Sequence, residues 1–85
     1  MKEFTYTITD EQGIHARPAG LLVKEAAGFA SAITIEKDGQ KVDAKRILGV
    51  MGLGAKKGAE ITLRAEGEDE DAAIEKLSAF LQENL

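Results

Sequence analysis

Apolar and polar residues alternate in four short stretches of the chain, with the period of two that is typical of half-buried β-strands. The clearest case is the first, where Phe4, Tyr6 and Ile8 alternate with threonines. The dipeptide Asp38-Gly39 is a strong hairpin signal, because both residues tolerate positive φ. It predicts an antiparallel pairing of the two strands on either side of it. The predicted strands are Lys2–Ile8, Ala32–Lys37, Gln40–Asp43 and Glu60–Glu66.

Three further stretches carry apolar residues at the spacing of an α-helix. Pro18 falls in the first turn of the first stretch, where a missing N–H is tolerated, and Gly28 follows its end. Asp69 is expected to cap the last helix. The predicted helices are Ala16–Ala27, Ile47–Leu53 and Glu70–Asn84. The residues expected to face the core are Leu22, Val23, Ala26 and Ala27 in the first helix and Ala73, Ile74, Leu77, Phe80 and Leu81 in the last.

The resulting order is βαββαβα, which predicts an α+β fold with the helices packed on one face of a sheet. Residues 1–85 are expected to form one small domain, because neither a linker nor a repeat interrupts the pattern. Beyond the hairpin, the pattern leaves the pairing of the strands open.

Composition excludes several classes of function. The chain has no cysteine, which rules out disulfides and thiol chemistry, and its formal net charge of −4 argues against a general nucleic-acid binder. No apolar run approaches the roughly 20 residues that span a membrane, so membrane insertion is not expected. The start of the chain lacks the apolar stretch of a signal peptide, so we expect the cytoplasm. The acidic cluster Glu66–Asp71 is explained by a solvated helix start, and no metal or cofactor is expected.

The stretch from Gly13 to Gly20 contains the only histidine and the only proline of the chain. His15 is expected at or beside the N-cap of the first helix, where unpaired amides and the helix dipole favour an anion. Arg17 adds a guanidinium suited to phosphate oxygens, and the His15 ring nitrogen is a nucleophile. The three features together predict phosphoryl transfer to and from His15, with Ala16, Arg17 and Pro18 around the phosphate. The competing interpretation, a solvated loop histidine without a function, is left open by these residues alone.

Gly13-Ile14-His15-Ala16-Arg17-Pro18-Ala19 resembles the active-site signature of the histidine-containing phosphocarrier protein (HPr) family of the sugar phosphotransferase system. A second block, Lys45 to Gly54, resembles the other signature of that family, and Lys57-Gly58-Ala59-Glu60-Ile61 continues it. The resemblance extends over essentially the whole chain. It implies an open-faced β-sandwich with a four-stranded antiparallel sheet of order 1-4-2-3 and three helices on one face.

The resemblance also implies a function. His15 would accept a phosphoryl group on Nδ1 from phosphorylated enzyme I, which is itself charged by phosphoenolpyruvate, and would pass it to the IIA domains of sugar permeases. Arg17 would assist with the phosphoryl oxygens. Such a protein is a carrier that reacts stoichiometrically, without turnover of its own, and it is expected to be a monomer.

The short helix carries more apolar residues than it can bury, so some are expected to form an exposed docking patch. By resemblance, the surface that meets enzyme I and the IIA domains comprises Ala16, Gly20, Leu21, Lys24, Ile47, Leu48 and Met51. The chain departs from the family pattern at Arg46, where many members have a serine that a kinase phosphorylates. A serine switch is therefore not expected here, although Lys45 and Arg46 favour an acidic partner.

The sequence is also compatible, to different degrees, with four other interpretations. A nucleotide loop at Gly49–Gly58 lacks the Gly-Lys-Ser/Thr motif, and an RNA-binding GXXG loop is opposed by Val50, Met51 and the net charge. A regulatory HPr-like protein of a nitrogen-type phosphotransferase branch would use the same His15 chemistry with different partners. A binding module whose histidine is never phosphorylated is the alternative from another class. The last two remain open.

Overall fold

The computed structural model describes residues 1–85 and has the predicted order of elements, βαββαβα. Two elements are one residue shorter than predicted. The first strand ends at Thr7, because the Ala59 amide opposite Ile8 turns back to the Lys56 carbonyl and the Ile8 carbonyl accepts from Gly58 instead. The second helix ends at Gly52, and Leu53 is its C-cap. The strands are β1 (Lys2–Thr7), β2 (Ala32–Lys37), β3 (Gln40–Asp43) and β4 (Glu60–Glu66), and the helices are α1 (Ala16–Ala27), α2 (Ile47–Gly52) and α3 (Glu70–Asn84).

The four strands form one antiparallel sheet of order β1-β4-β2-β3, which confirms the expected topology. Asp38 and Gly39 both have positive φ, as the predicted hairpin between β2 and β3 requires. The crossover through α1 separates β1 from β2, and β4 pairs with both of them. The sheet therefore brings the end of β1, where the loop that leads to His15 begins, beside the start of β4.

The core lies between the inner face of the sheet and the helices. The inward residues of β2 and β4 alternate with outward ones, and Ile35 and Leu63 are fully buried. Each such side chain contributes roughly 1.5–3 kcal/mol through its removal from water. The fully buried residues of the two long helices are Ala19, Leu22, Ala26, Ala73, Leu77 and Leu81.

The predicted buried face of α1 is wrong at one position. Ala27 is exposed, because it lies about 100° around the helix from the buried Ala26. Val23, Ile74 and Phe80 are only half-buried, at the edge of the core.

The predicted cap of α3 also differs from the structure. Asp69 occupies the N-cap position, but its carboxylate makes no capping hydrogen bond. It accepts hydrogen bonds from the amide groups of Ala30 and Ser31, at 2.8 and 2.9 Å, and from the Ser31 hydroxyl. Ser31 is buried in the loop between α1 and β2, so its polar groups need a partner within the protein. The pKa of the Asp69 carboxyl is lowered, first by the Ser31 hydroxyl and then by the Ala30 amide.

No helix of the protein combines the length and the apolar character that crossing a membrane requires.

Candidate functional site

His15 is the N-cap residue of α1, as predicted. Its backbone is extended, with φ −114° and ψ −175°, and its carbonyl accepts a hydrogen bond from Ala19 at 3.0 Å. The side chain is half-buried and does not cap the helix. The backbone therefore fixes the position of His15 and leaves both ring nitrogens free for chemistry.

The first turn of α1 offers several donors to an anion. The amide groups of Ala16 and Arg17 precede Ala19, the first residue whose amide donates within the helix, and Pro18 has no amide hydrogen. Pro18 is buried and holds the turn against the core, whereas Ala16 and Arg17 are exposed. No hydrogen bond or ion pair within the chain includes the His15 ring or the Arg17 guanidinium. The His15 ring and the Arg17 guanidinium are therefore both available to a ligand.

A shallow cleft of about 450 Å³ lies over this turn. Besides His15, Arg17, Pro18 and Leu21, it is lined by Asp10 and Asn84. The sequence did not predict the last two. The Asp10 carboxylate accepts a hydrogen bond from the Gln12 amide at 2.8 Å and makes none with the His15 ring.

Asn84 reaches the cleft because the end of α3 is tied to the loop after β1. The backbone oxygen of Leu85 accepts hydrogen bonds from the Thr9 and Asp10 amides, at 2.6 and 2.7 Å, and from the Thr9 hydroxyl at 3.0 Å. No local signal in the sequence indicates this contact, because the two segments are more than 70 residues apart.

The exposed apolar residues of the protein concentrate beside the site. In α2 only Val50 is buried, and the remaining apolar side chains face solvent. This confirms that α2 carries more apolar surface than it buries. Gly20 brings α1 close to α2, since a Cβ atom at Gly20 would lie 3.7 Å from Cδ1 of Ile47. The exposed fractions are 45% for Leu21, 41% for Ile47, 83% for Leu48 and 37% for Met51.

The two chain segments that carry His15 and α2 are rich in basic residues, although Lys57 pairs with Glu11 and Asp10 lines the cleft. Residues 12–24 and 44–59 include six of the eleven lysines and arginines and none of the fifteen acidic residues. Among the six, Lys24 is exposed in the last turn of α1. Arg46 is the N-cap of α2, makes no capping bond, and lies 3.9 Å from the Asp43 carboxylate. The six are Arg17, Lys24, Lys45, Arg46, Lys56 and Lys57.

No group of three or more histidine, aspartate or glutamate side chains lies close enough together to hold a metal ion. The acidic stretch predicted to be a solvated helix start is in part structural, because Asp69 binds the loop at Ala30 and Ser31.

Known proteins resemble this chain over nearly its full length. The family described as PTS HPr component phosphorylation site matches residues 2–83. The HPr-like protein Crh of Bacillus subtilis is 53% identical over 73 residues, which are 86% of either chain. The phosphocarrier protein HPr of Lysinibacillus sphaericus is 51% identical over 83 residues, 98% of this chain and 94% of its own.

Solved structures agree with the sequence relatives. The crystal structure of HPr-C-His from Thermoanaerobacter tengcongensis has a TM-score of 0.92 and 48% identity, covering 96% of this chain and 92% of its own. HPr from that organism is also known as a dimer. With its four-stranded sheet, its histidine at the start of α1 and this similarity, the chain belongs to the HPr family of the phosphotransferase system.

Proposed function

We propose that this HPr-family protein carries a phosphoryl group on His15. Phosphorylated enzyme I would donate the group, and the IIA domains of sugar permeases would receive it. The observation that carries the proposal is the free His15 ring at the N-cap of α1, beside the free guanidinium of Arg17. A histidine with a purely structural role would be expected to use at least one ring nitrogen in a hydrogen bond within the protein.

The transfer needs a nucleophile and a place for the phosphoryl oxygens. The lone pair of the neutral ring at Nδ1 attacks phosphorus while the ring proton stays on Nε2, and the bond between phosphorus and the donor atom breaks as the new P–N bond forms. The amides of Ala16 and Arg17 and the Arg17 guanidinium are available to the phosphoryl oxygens. Such transfers depend mainly on positioning and on charge stabilisation. The reverse exchange delivers the group to the acceptor, so the protein is a stoichiometric carrier.

The docking surface of the proposal is the exposed apolar region next to the site. It comprises Ala16, Gly20, Leu21, Lys24, Ile47, Leu48 and Met51. Leu21 belongs both to this surface and to the His15 cleft, so a partner that covers it also covers the reacting atom. The cations of residues 12–24 and 44–59 favour partners with an acidic rim around an apolar recess.

The direct test is phosphorylation in a purified system. The protein is incubated with enzyme I, magnesium and phosphoenolpyruvate, and the product is analysed by intact mass and phosphorus NMR. We expect one acid-labile phosphoryl group, a nitrogen-bound phosphorus resonance, and no labelling of His15→Ala. His15→Ala should melt as the parent does, because the ring makes no hydrogen bond. Failure to label with a cognate enzyme I contradicts the proposal and leaves a binding module on an HPr fold.

A second candidate is a regulatory HPr-like protein, and the 53% identity with the HPr-like protein Crh favours it. A nitrogen-type phosphotransferase branch would use the same His15 chemistry with other partners. The two candidates are separated by parallel assays with sugar-type and nitrogen-type enzyme I, since the cognate donor should react far faster. Arg46 has no hydroxyl, so regulation by phosphorylation at this position is not part of either proposal.

The proposal includes the cytoplasm as the compartment and a monomer as the acting form. The oligomeric state is measured by sedimentation at the concentration of the transfer assay. A dimer that transfers at the same rate per chain would overturn the monomer part of the proposal and leave the His15 chemistry intact.

A further inference from the structure

The loop that carries His15 lies directly on the backbone of a second loop, which follows α2. The Ile14 amide donates a hydrogen bond to the Ala55 carbonyl at 2.9 Å, and Ile14 is buried. The loop turns just before this contact, with the Gly13 amide bound to the Asp10 carbonyl at 3.0 Å. The nucleophile is therefore one residue away from a backbone contact that joins two distant parts of the chain.

The contact leaves no space for a side chain at Gly13. A Cβ atom there would lie 2.3 Å from the Ala55 oxygen and 2.5 Å from the Lys56 Cα. Both atoms belong to the backbone, so neither can move aside as the end of a flexible side chain would. The φ angle of Gly13 is also positive, at 66°, which favours glycine.

The supporting loop is itself held in place. Ala55 is fully buried. The amide of Ala59 donates to the Lys56 carbonyl at 2.9 Å, and the amide of Gly58 donates to the Ile8 carbonyl at 2.8 Å. Since the Ile8 amide returns a hydrogen bond to Ala59, the loop is tied to the end of β1 on one side and to the His15 loop on the other.

We propose that Gly13 is a positioning residue for phosphoryl transfer, and that the backbone of Ala55 and Lys56 is the support that sets where the His15 ring stands. The inference rests on the proposed function of His15. A methyl group at Gly13 must displace the His15 loop by about 1 Å, the difference between 2.3 Å and an ordinary contact. A displacement of this size at a reacting group lowers the rate by about 10²-fold.

The test compares two variants with the same backbone penalty. Gly13→Ala introduces the clash. Gly39→Ala is the matched control, because Gly39 also has positive φ, at 83°, but has no atom within 4 Å of its Cβ position and lies in the remote hairpin. The measurements are the maximal rate of transfer from phosphorylated enzyme I, the KM for that donor, and the nitrogen and proton resonances of the His15 ring.

We expect the maximal rate of Gly13→Ala to fall about 10²-fold below that of Gly39→Ala, with the KM unchanged and the His15 ring resonances shifted. Equal rates for the two variants, or a loss confined to KM, would overturn the inference. The ring resonances need no donor, so they test the support even if the parent protein accepts no phosphoryl group. A parent protein that accepts no phosphoryl group would contradict the proposed function of His15, but it would not contradict the role of Gly13 in positioning the ring.

If Gly13→Ala does not fold, amide hydrogen exchange in the parent protein tests whether the backbone of Ala55 supports the His15 loop. The support predicts that the Ile14 amide is protected more strongly than the neighbouring exposed amide of Glu11. Exchange of Ile14 at the rate of an unstructured peptide would overturn the inference.

Discussion

The starts of α1 and α3 both place a polar residue at the N-cap, but the two side chains are used in different ways. At α3 the N-cap carboxylate of Asp69 is occupied by three hydrogen bonds to the loop at Ala30 and Ser31. At α1 the N-cap side chain, His15, and its neighbour Arg17 have no partner within the chain. A helix start whose polar side chains are all engaged stabilises the fold. One whose side chains are free, beside a cleft, is available to a ligand.

The start of α2 is a third case. Arg46 stands at the N-cap without a capping bond, and exposed Ile47 and Leu48 follow it. This helix therefore receives little stabilisation from its own N-terminus. Its anchor is Val50, its only buried residue. What α2 offers instead is a surface next to the site, which is the basis of the docking proposal.

Among variants that distinguish the start of α1 from that of α3, Arg17→Ala should have the largest effect on phosphoryl transfer. We expect transfer to slow by about 10²–10³-fold, because the variant removes a preorganised cation from the phosphoryl oxygens. The melting temperature should stay within about 1 °C, since Arg17 has no partner to lose. Rapid-quench transfer assays and thermal melts measure the two quantities. Arg17→Lys is the matched control and should recover part of the rate, because it keeps the charge without the planar fork. An unchanged rate in Arg17→Ala would contradict the assigned role.

Leu48→Asp should have the next largest effect. A carboxylate in place of the most exposed apolar side chain of α2 is expected to weaken docking about tenfold or more, by removing apolar contact and by repelling an acidic partner. The effect should appear in KM for phosphorylated enzyme I, with the fold intact by circular dichroism. Gln82→Glu adds the same charge on the exposed face of α3 and should leave KM unchanged. Equal KM values for the two variants would remove Leu48 from the docking surface.

Asp69→Asn tests whether the start of α3 has a purely structural role. It should lower the stability of the protein and leave phosphoryl transfer unchanged. We expect a lower melting temperature at neutral pH and a transfer rate like that of the parent, because the carboxylate binds the Ala30 and Ser31 donors far from any reacting group. Glu68→Gln removes a neighbouring exposed carboxylate without such bonds and should leave the melting temperature unchanged.

The contribution of Asp69 to the free energy of unfolding should change with pH in a definite direction. Its pKa is lower in the folded protein than the usual value of about 3.9. The carboxylate therefore contributes its stabilisation above about pH 4, and this contribution is lost as the pH falls through the lower folded pKa. Denaturant unfolding of Asp69→Asn and its parent between pH 2 and 7 should give curves that converge at the acidic end. A difference that stays constant with pH would contradict this account.

Arg46→Ser should have the smallest effect. The backbone at position 46, with φ −119° and ψ 113°, has the extended geometry of an N-cap, so serine can accept a hydrogen bond from the first turn of α2. We expect the free energy of unfolding to rise by about 1 kcal/mol. The loss of the long Asp43 ion pair should subtract less than about 0.5 kcal/mol. Denaturant unfolding measures the change, with Arg46→Ala as the control that removes the ion pair without adding a cap. If serine and alanine give equal stability, α2 does not respond to capping.

Much of this protein is determined by its sequence alone. The period of two fixes which residues of β2 and β4 face the core, because a shift by one residue would turn every apolar side chain to solvent. The Asp38-Gly39 turn determines the hairpin, and Pro18 restricts where α1 can begin. The proximity of His15 and Arg17 at a helix start is also local, since two residues on one turn must lie near each other. These features depend on interactions within a few residues, which the order of the chain specifies directly.

Only the tertiary structure decided what joins distant segments. The pattern of β4 predicts a strand but not that it lies between β1 and β2, because hydrophobic alternation does not select a partner. The sequence predicts that Asp69 is an ordinary N-cap, whereas in the folded protein its carboxylate binds Ala30 and Ser31. Asn84 lines the His15 cleft only because Leu85 binds the loop after β1. The close contact of Gly13 with Ala55 is likewise invisible in the sequence, since the distance between two backbones depends on how the whole chain packs.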